Sequence, residues 1–162
     1  MSGEANVYTE DWDFAKEGAA AAFLGRRAGA EILGLATYEL QPGARRGELH
    51  LHYANEEMIV VLSGTPTLHT LEESRELASG EVVACRRGRA GAHRLENASS
   101  DVARVLIFST NLMPEIVEYP ERGTIFAMTE PPGTPGVQDP ESYGRVLRVF
   151  ERKDGRPVSP DS

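Results

Sequence analysis

The chain has 162 residues, 40% of them hydrophobic and 26% charged, the size and balance of one globular domain with a single core. Its net charge of −8 argues against a nucleic-acid partner, and its one cysteine, Cys85, excludes an intrachain disulfide framework and a cysteine-based zinc knuckle. No apolar run approaches the ~18 residues of a membrane-spanning helix, and the acidic opening MSGEANVYTEDWDF does not resemble a secretion signal, so a cytoplasmic protein is expected.

Residues 1–29 are expected to form an N-terminal arm. It begins with a lead-in anchored by Trp12 and Phe14. Residues 15–24, AKEGAAAAFL, are good helix formers interrupted by Gly18, which predicts at most one short helix, ended by Gly25 to Gly29. From Ile32 the period changes. ILGLATYEL reads as a strand stopped by Pro42–Gly43. LHLHY (49–53) alternates strictly, with Leu49, Leu51 and Tyr53 on one face and His50 and His52 on the other. EMIVVLSG is an apolar strand ending in glycine. TPTLHTL and SRELASG form a hairpin around Glu72–Glu73, and EVVAC is the next strand. CRRGRAG is a basic loop. AHRLEN and DVARVLIFST are strands joined by Ala98-Ser99-Ser100. EIVEYP and TIFAM are candidates for two more. EPPGTPGVQDPE (130–141) is a loop, YGRVLRVFER (143–152) a last strand or short helix, and KDGRPVSPDS a disordered end. Short strands at this spacing, with no alternating helices, predict an all-β sandwich or barrel over residues 30–126, with a C-terminal extension over 127–162.

The chemistry concentrates in PGARRGELHLHYANEEMIVVLSG. His50 and His52 share one face of a strand, and two inward imidazoles are costly to bury without a partner. A divalent metal is such a partner, because it binds neutral imidazole nitrogen. Glu57, at the start of the next strand, offers a carboxylate oxygen, with Glu56 as its near rival. In the later segment GEVVACRRGRAGAHRLENASS, an inward His93 would take Leu95 and Asn97 inward with it and leave Arg94 and Glu96 outside. A one-residue slip would aim Arg94 inward instead.

These two segments resemble the paired motifs of the cupin superfamily, small double-stranded β-helix (jelly-roll) barrels. The first resemblance rests on Gly43, His50, His52, Glu57 and Gly64. The second rests on Gly80, Gly88, His93 and Asn97. It departs from the pattern in having Arg86 or Arg87 at the usual proline position and a loop before His93 about two residues longer than usual. The longer loop and MPEIVEYPERGTI (113–125) are similar to one branch of uncharacterised single-domain cupins. The resemblance implies a metal held by His50, His52, Glu57 and His93. Three imidazoles and one carboxylate suit Fe, Mn, Ni, Cu or Zn. It also implies a small-molecule substrate and a homodimer. Two function classes follow: a metal-dependent enzyme of dioxygenase or isomerase type, or a non-catalytic binder of a small ligand.

Outside this set, His69 reads as a partly exposed structural histidine and Cys85 as a small buried apolar residue. Arg45, Arg46, Arg86, Arg87, Arg89 and Arg94 form the one basic concentration. They read first as solvated loop charges, with a collar for an anionic substrate as the functional alternative.

Overall fold

A computed structural model of the chain describes residues 4–130, 149–153 and 156–157. In chain order its strands are β1 (Phe14–Lys16), β2 (Ala19–Ala22), β3 (Gly34–Leu40), β4 (Arg45–His52), β5 (Glu57–Ser63), β6 (Thr67–His69), β7 (Ser74–Glu76) and β8 (Val82–Cys85). They continue with β9 (His93–Glu96), β10 (Ala103–Ser109), β11 (Glu115–Tyr119), β12 (Thr124–Met128), β13 (Val149–Lys153) and β14 (Arg156–Pro157). One short helix, α1 (Leu24–Arg27), precedes β3. The strands form two antiparallel sheets, ordered β1-β2-β3-β10-β5-β8 and β14-β13-β12-β11-β4-β9-β6-β7. The chain crosses between the sheets from β3 to β4, β4 to β5, β5 to β6, β7 to β8, β8 to β9, β9 to β10 and β10 to β11, which makes the expected all-β jelly roll.

Alternation along each strand builds the core. On β5, Ile59 and Val61 are buried while Met58 points to solvent. On the central strand β10, Val105 and Ile107 take the same inward phase. With Leu40, Leu68, Leu77, Leu95 and Cys85 they form one cluster between the sheets. Each large aliphatic side chain in it contributes roughly 1.5–3 kcal/mol of burial free energy.

The N-terminal segment departs from expectation. Where residues 15–24 predict a helix, the chain makes the β1–β2 hairpin, and a single helical turn follows it at Leu24–Arg27. Glu17 and Gly18 both take positive φ, 53° and 80°, the geometry of a tight two-residue hairpin turn. Ala19–Ala22 then pair with Leu40–Thr37 of β3, so sheet pairing overrides alanine's helix propensity. The hairpin and helix bring Ala22 and Leu24 against Leu106 on the outer face of β10, with Val7 and Trp12 packed around them.

At the other end, Val149–Lys153 is a strand paired with β12, which decides between the strand and helix expected there. Arg156–Pro157 pairs with β13, where disorder is expected. Residues 131–148, with most of the expected loop, lie outside the described residues.

Gly64 closes β5 at φ +75°, and a Cβ there would stand 2.7 Å from both Ala103 Cα and Val102 O. Gly80 has a similar φ of +84° but open space around it. Gly64→Ala should therefore cost about 3 kcal/mol or more, from left-handed strain plus overpacking, and Gly80→Ala about 1–2 kcal/mol from strain alone. Urea unfolding midpoints of the two variants check this; equal losses would contradict it.

Candidate metal centre

Three strands deliver the expected ligands to one place inside the barrel. On β4, the His50 and His52 rings lie 5.1 Å apart, centroid to centroid. Glu57 opens β5 in the inward phase of Ile59 and Val61, whereas its rival Glu56 is exposed. His93 opens β9, pairs in register with His50, and shares its buried phase with Leu95 and Asn97. Its ring centroid is 4.6 Å from that of His50 and 6.2 Å from that of His52. His50, His52 and Glu57 each offer a ligand atom within 4.8 Å of the others, a cluster that could bind a metal ion. His93 stands beside this cluster, its Nε2 2.8 Å from Glu57 Oε2.

The longer loop before His93 leaves its register intact. A 3-10 turn at Arg89–Gly91 takes up the added residues. The Gly88 N–H donates to His52 O at 2.7 Å and the Gly91 N–H to Gly88 O at 3.0 Å, which ties the loop to β4. Gly91 is packed so closely that a Cβ would fall 1.6 Å from Arg86 O. Asn97 steadies the other end of β9. Its buried amide donates to Leu40 O and Asp101 O at 2.8 and 2.7 Å.

Hydrogen bonds select the nitrogens. His50 Nδ1 lies 2.8 Å from Glu48 O and His93 Nδ1 lies 2.9 Å from Gly91 O, so each ring donates from Nδ1 and turns Nε2 inward. Burial, with the charges of His93 and Arg46, pulls the pKa of His50 down to about 3, so its ring is neutral. Burial pushes the Glu57 carboxyl upward, but contact with His93 and the charges of Arg46, His93 and His52 outweigh it and hold Glu57 below the usual carboxylate range. Burial likewise opposes charge on His93, but contacts with Cys85 and Glu57 raise its pKa to about 10. Without an added cation, Glu57 and His93 are thus an ion pair.

The arrangement fits a metal in one further respect. Within the site, His52 Nδ1 and Nε2, Glu57 Oε2, His93 Nε2 and Arg46 Nε are buried polar atoms without a well-aligned hydrogen bond, Glu57 Oε2 and His93 Nε2 meeting only as an ion pair; Arg27 Nη1, His69 Nε2 and Arg94 Nε share this state elsewhere. Buried polar groups are nearly always satisfied, and four of these atoms belong to residues implied as ligands. Nitrogen and oxygen donors of this kind suit a divalent transition metal.

Two residues of the site lie beyond the expected set. Glu115, at the start of β11 and 1% exposed, has Oε2 3.6 Å from His52 Nδ1, on the side of the ring away from Glu57. It accepts hydrogen bonds from the N–H groups of Tyr53, Ala54 and Ile116 and from the Asn55 amide. Its signal was a glutamate in phase with the buried Val117, at the start of β11. Arg46 departs from the solvated role expected of the basic cluster. It turns inward, stacks on the Tyr38 ring at 4.4 Å, and brings Nη2 to 4.0 Å from Glu57 Oε1. Its spacing of four from His50 placed it on that face.

His69 is a partly exposed structural residue, 3.0 Å from Glu96 and 2.7 Å from Ser74 Oγ. Cys85 is buried in the core, in register with Glu57. Arg45, Arg86, Arg87 and Arg89 are exposed, whereas Arg94, 17% exposed, departs from the solvated role and lies 3.5 Å from Glu121.

Comparison with known proteins agrees with this geometry. Residues 36–109 match the cupin domain family. Among solved structures, the chain is similar to a protein from Acidithiobacillus ferrooxidans assigned as a sugar phosphate isomerase, with 28% identity, TM-score 0.64, and 67% of this chain and 69% of that chain covered. It is also similar to a cupin from Silicibacter pomeroyi described as a sugar phosphate isomerase, with 22% identity, TM-score 0.68, and 90% and 83% covered. A third, from Thermotoga maritima and assigned as an oxalate decarboxylase, has 24% identity, TM-score 0.52, and 58% and 81% covered. No curated protein matches the chain.

Glu115→Gln keeps an acceptor oxygen for the backbone donors but removes the charge behind His52. It should leave the barrel folded and lower affinity for added Mn or Zn by about 10–100-fold. Metal titration checks this; unchanged affinity would show that His52 needs no carboxylate behind it.

Proposed function

We propose that this chain, whose residues 36–109 match the cupin domain family, is a metal-dependent cupin enzyme, of isomerase or dioxygenase type, acting on a small organic molecule. His50, His52, Glu57 and His93 hold one divalent transition metal, Fe, Mn, Ni, Cu or Zn. The observation that carries this reading is the meeting of three imidazoles and one carboxylate inside the barrel, with buried ligand atoms that lack a well-aligned hydrogen bond. The likeness to the A. ferrooxidans protein, assigned as a sugar phosphate isomerase, supports the isomerase branch and a phosphorylated sugar as candidate substrate.

A metal bound here would act as a Lewis acid toward a carbonyl or hydroxyl oxygen, or as an oxygen-activating centre if it is iron. The chain's own residues have definable tasks. The Glu48 and Gly91 carbonyls hold the rings of His50 and His93 with Nε2 inward. Glu115 stands behind His52. Tyr119 stacks 5.9 Å from the His50 ring and meets Phe126 edge-on, which walls that side of the site with aromatic surface. Exposed Met58, Val82 and Phe108 on the outer face of the first sheet support a homodimer. Among the described residues, no helix is long and apolar enough to cross a membrane.

Protein purified without added metal should carry about one equivalent of metal per chain by elemental analysis, and His50→Ala or His93→Ala should lose it. A metal-free wild type whose melting temperature ignores Fe, Mn, Ni and Zn would overturn the reading. Aldose–ketose phosphate interconversion and oxygen uptake by the iron-loaded protein separate the two branches.

A further inference from the structure

A cleft of about 180 Å³ opens between the β1–β2 hairpin and strands β3 and β4. It is lined by Phe14, Lys16, Tyr38, Arg45 and Arg46, among others. Of the six arginines flanking the two motifs, Arg46 alone joins this cleft to the buried cluster. Its side chain is 16% exposed and lies in register with the core residue Leu95. A guanidinium carries five N–H donors and stays charged at any physiological pH. Few groups meet that donor set: Nη2 reaches Tyr38 Oη at 3.3 Å and Glu57 only at 4.0 Å, and the buried Nε makes no hydrogen bond. Glu57 neutralises it only in part, because the same carboxylate is shared with His93, which lies closer at 2.8 Å. The other cations of the cleft are engaged, Lys16 with Glu17 at 3.3 Å and Arg45 with Glu96 at 3.4 Å. A buried, poorly paired guanidinium is costly unless a planar or tetrahedral oxyanion completes its hydrogen bonds.

We propose that Arg46 is the specificity residue of the site, taking the carboxylate or phosphate of an anionic substrate that enters by the hairpin cleft. The inference deepens the proposed function and rests on it for the metal. The stacking on Tyr38 fixes the plane of the guanidinium, so an oxyanion docks at its edge, one residue's width from the ligand cluster. This selects compact substrates, in which the anionic group lies within a few bonds of the oxygen that reacts.

Calorimetric titration of the full chain, metal-loaded and metal-free, with inorganic phosphate and separately with malonate tests this and distinguishes the two oxyanions. Wild type should bind at least one of them. Arg46→Gln should weaken that binding by about tenfold or more, the loss of a charge-assisted hydrogen bond. Its metal content and melting temperature should stay close to wild type. Arg46→Lys, which keeps the charge but not the fork, should fall between. Lys16→Ala should change affinity by less than about threefold, as a screened, exposed charge would. Wild-type affinity in Arg46→Gln, or no oxyanion binding by wild type, would overturn the proposal. So would metal lost along with the anion in both Arg46 variants, because Arg46 would then serve only to hold Glu57. Failure of the metal reading is separable: wild type would carry no metal, yet Arg46 would still determine oxyanion binding.

Discussion

A carboxylate buried inside a β-barrel is the constraint around which this structure is arranged. Glu57 is 7% exposed, where an uncompensated negative charge would be expensive. The barrel surrounds it with cationic and hydrogen-bonding groups from different strands: His93 from β9, His52 from the end of β4, and Arg46 from the start of β4. The jelly-roll crossing makes this possible, because β5 and the strands β4 and β9 lie in different sheets and face one another across the interior. The same face of β5 continues into Ile59 and Val61. The polar centre is thus one end of the hydrophobic core, not a separate pocket, and its side chains are held by packing before any ligand arrives.

Local backbone devices then set the orientation. Two main-chain carbonyls, of Glu48 and Gly91, occupy the outer nitrogens of His50 and His93. The carbonyl of Gly91 is in place because a glycine there lets the 3-10 turn press against the backbone of Arg86. Glu115, itself held by backbone N–H groups from two strands, reaches the third ring. Two imidazoles are thus held by hydrogen bonds, the arrangement that fixes tautomer and aim in metal-binding histidines, and the third has a carboxylate 3.6 Å behind it.

The parts of this that were legible in the sequence are those written in short-range spacing. Alternation put His50 and His52 on one face, and the resemblance to the first cupin motif picked Glu57 over Glu56, which the structure shows to be exposed. The strands from β3 to β12 were readable because each is bounded by turn residues. The β1–β2 hairpin was not, since four alanines favour a helix until β3 is present to pair with them. Glu115 escaped because its role depends on β11 pairing with β4, more than sixty residues away in the chain. Arg46 was hidden differently. Its parity with His50 was visible, but it follows Pro42–Gly43 and adjoins Arg45, so it read as part of a charged turn. Paired with Leu95, it is already inside the barrel.

The most direct test is a crystal structure of the protein grown with Mn or Zn, with anomalous data collected at the metal edge. The account predicts one strong anomalous peak within bonding distance of Glu57 and of the Nε2 atoms of His50 and His93, with His52 completing the set and the direct Glu57–His93 contact replaced. A Glu57–His93 ion pair still closed at 2.8 Å, with no metal among these side chains, would contradict it.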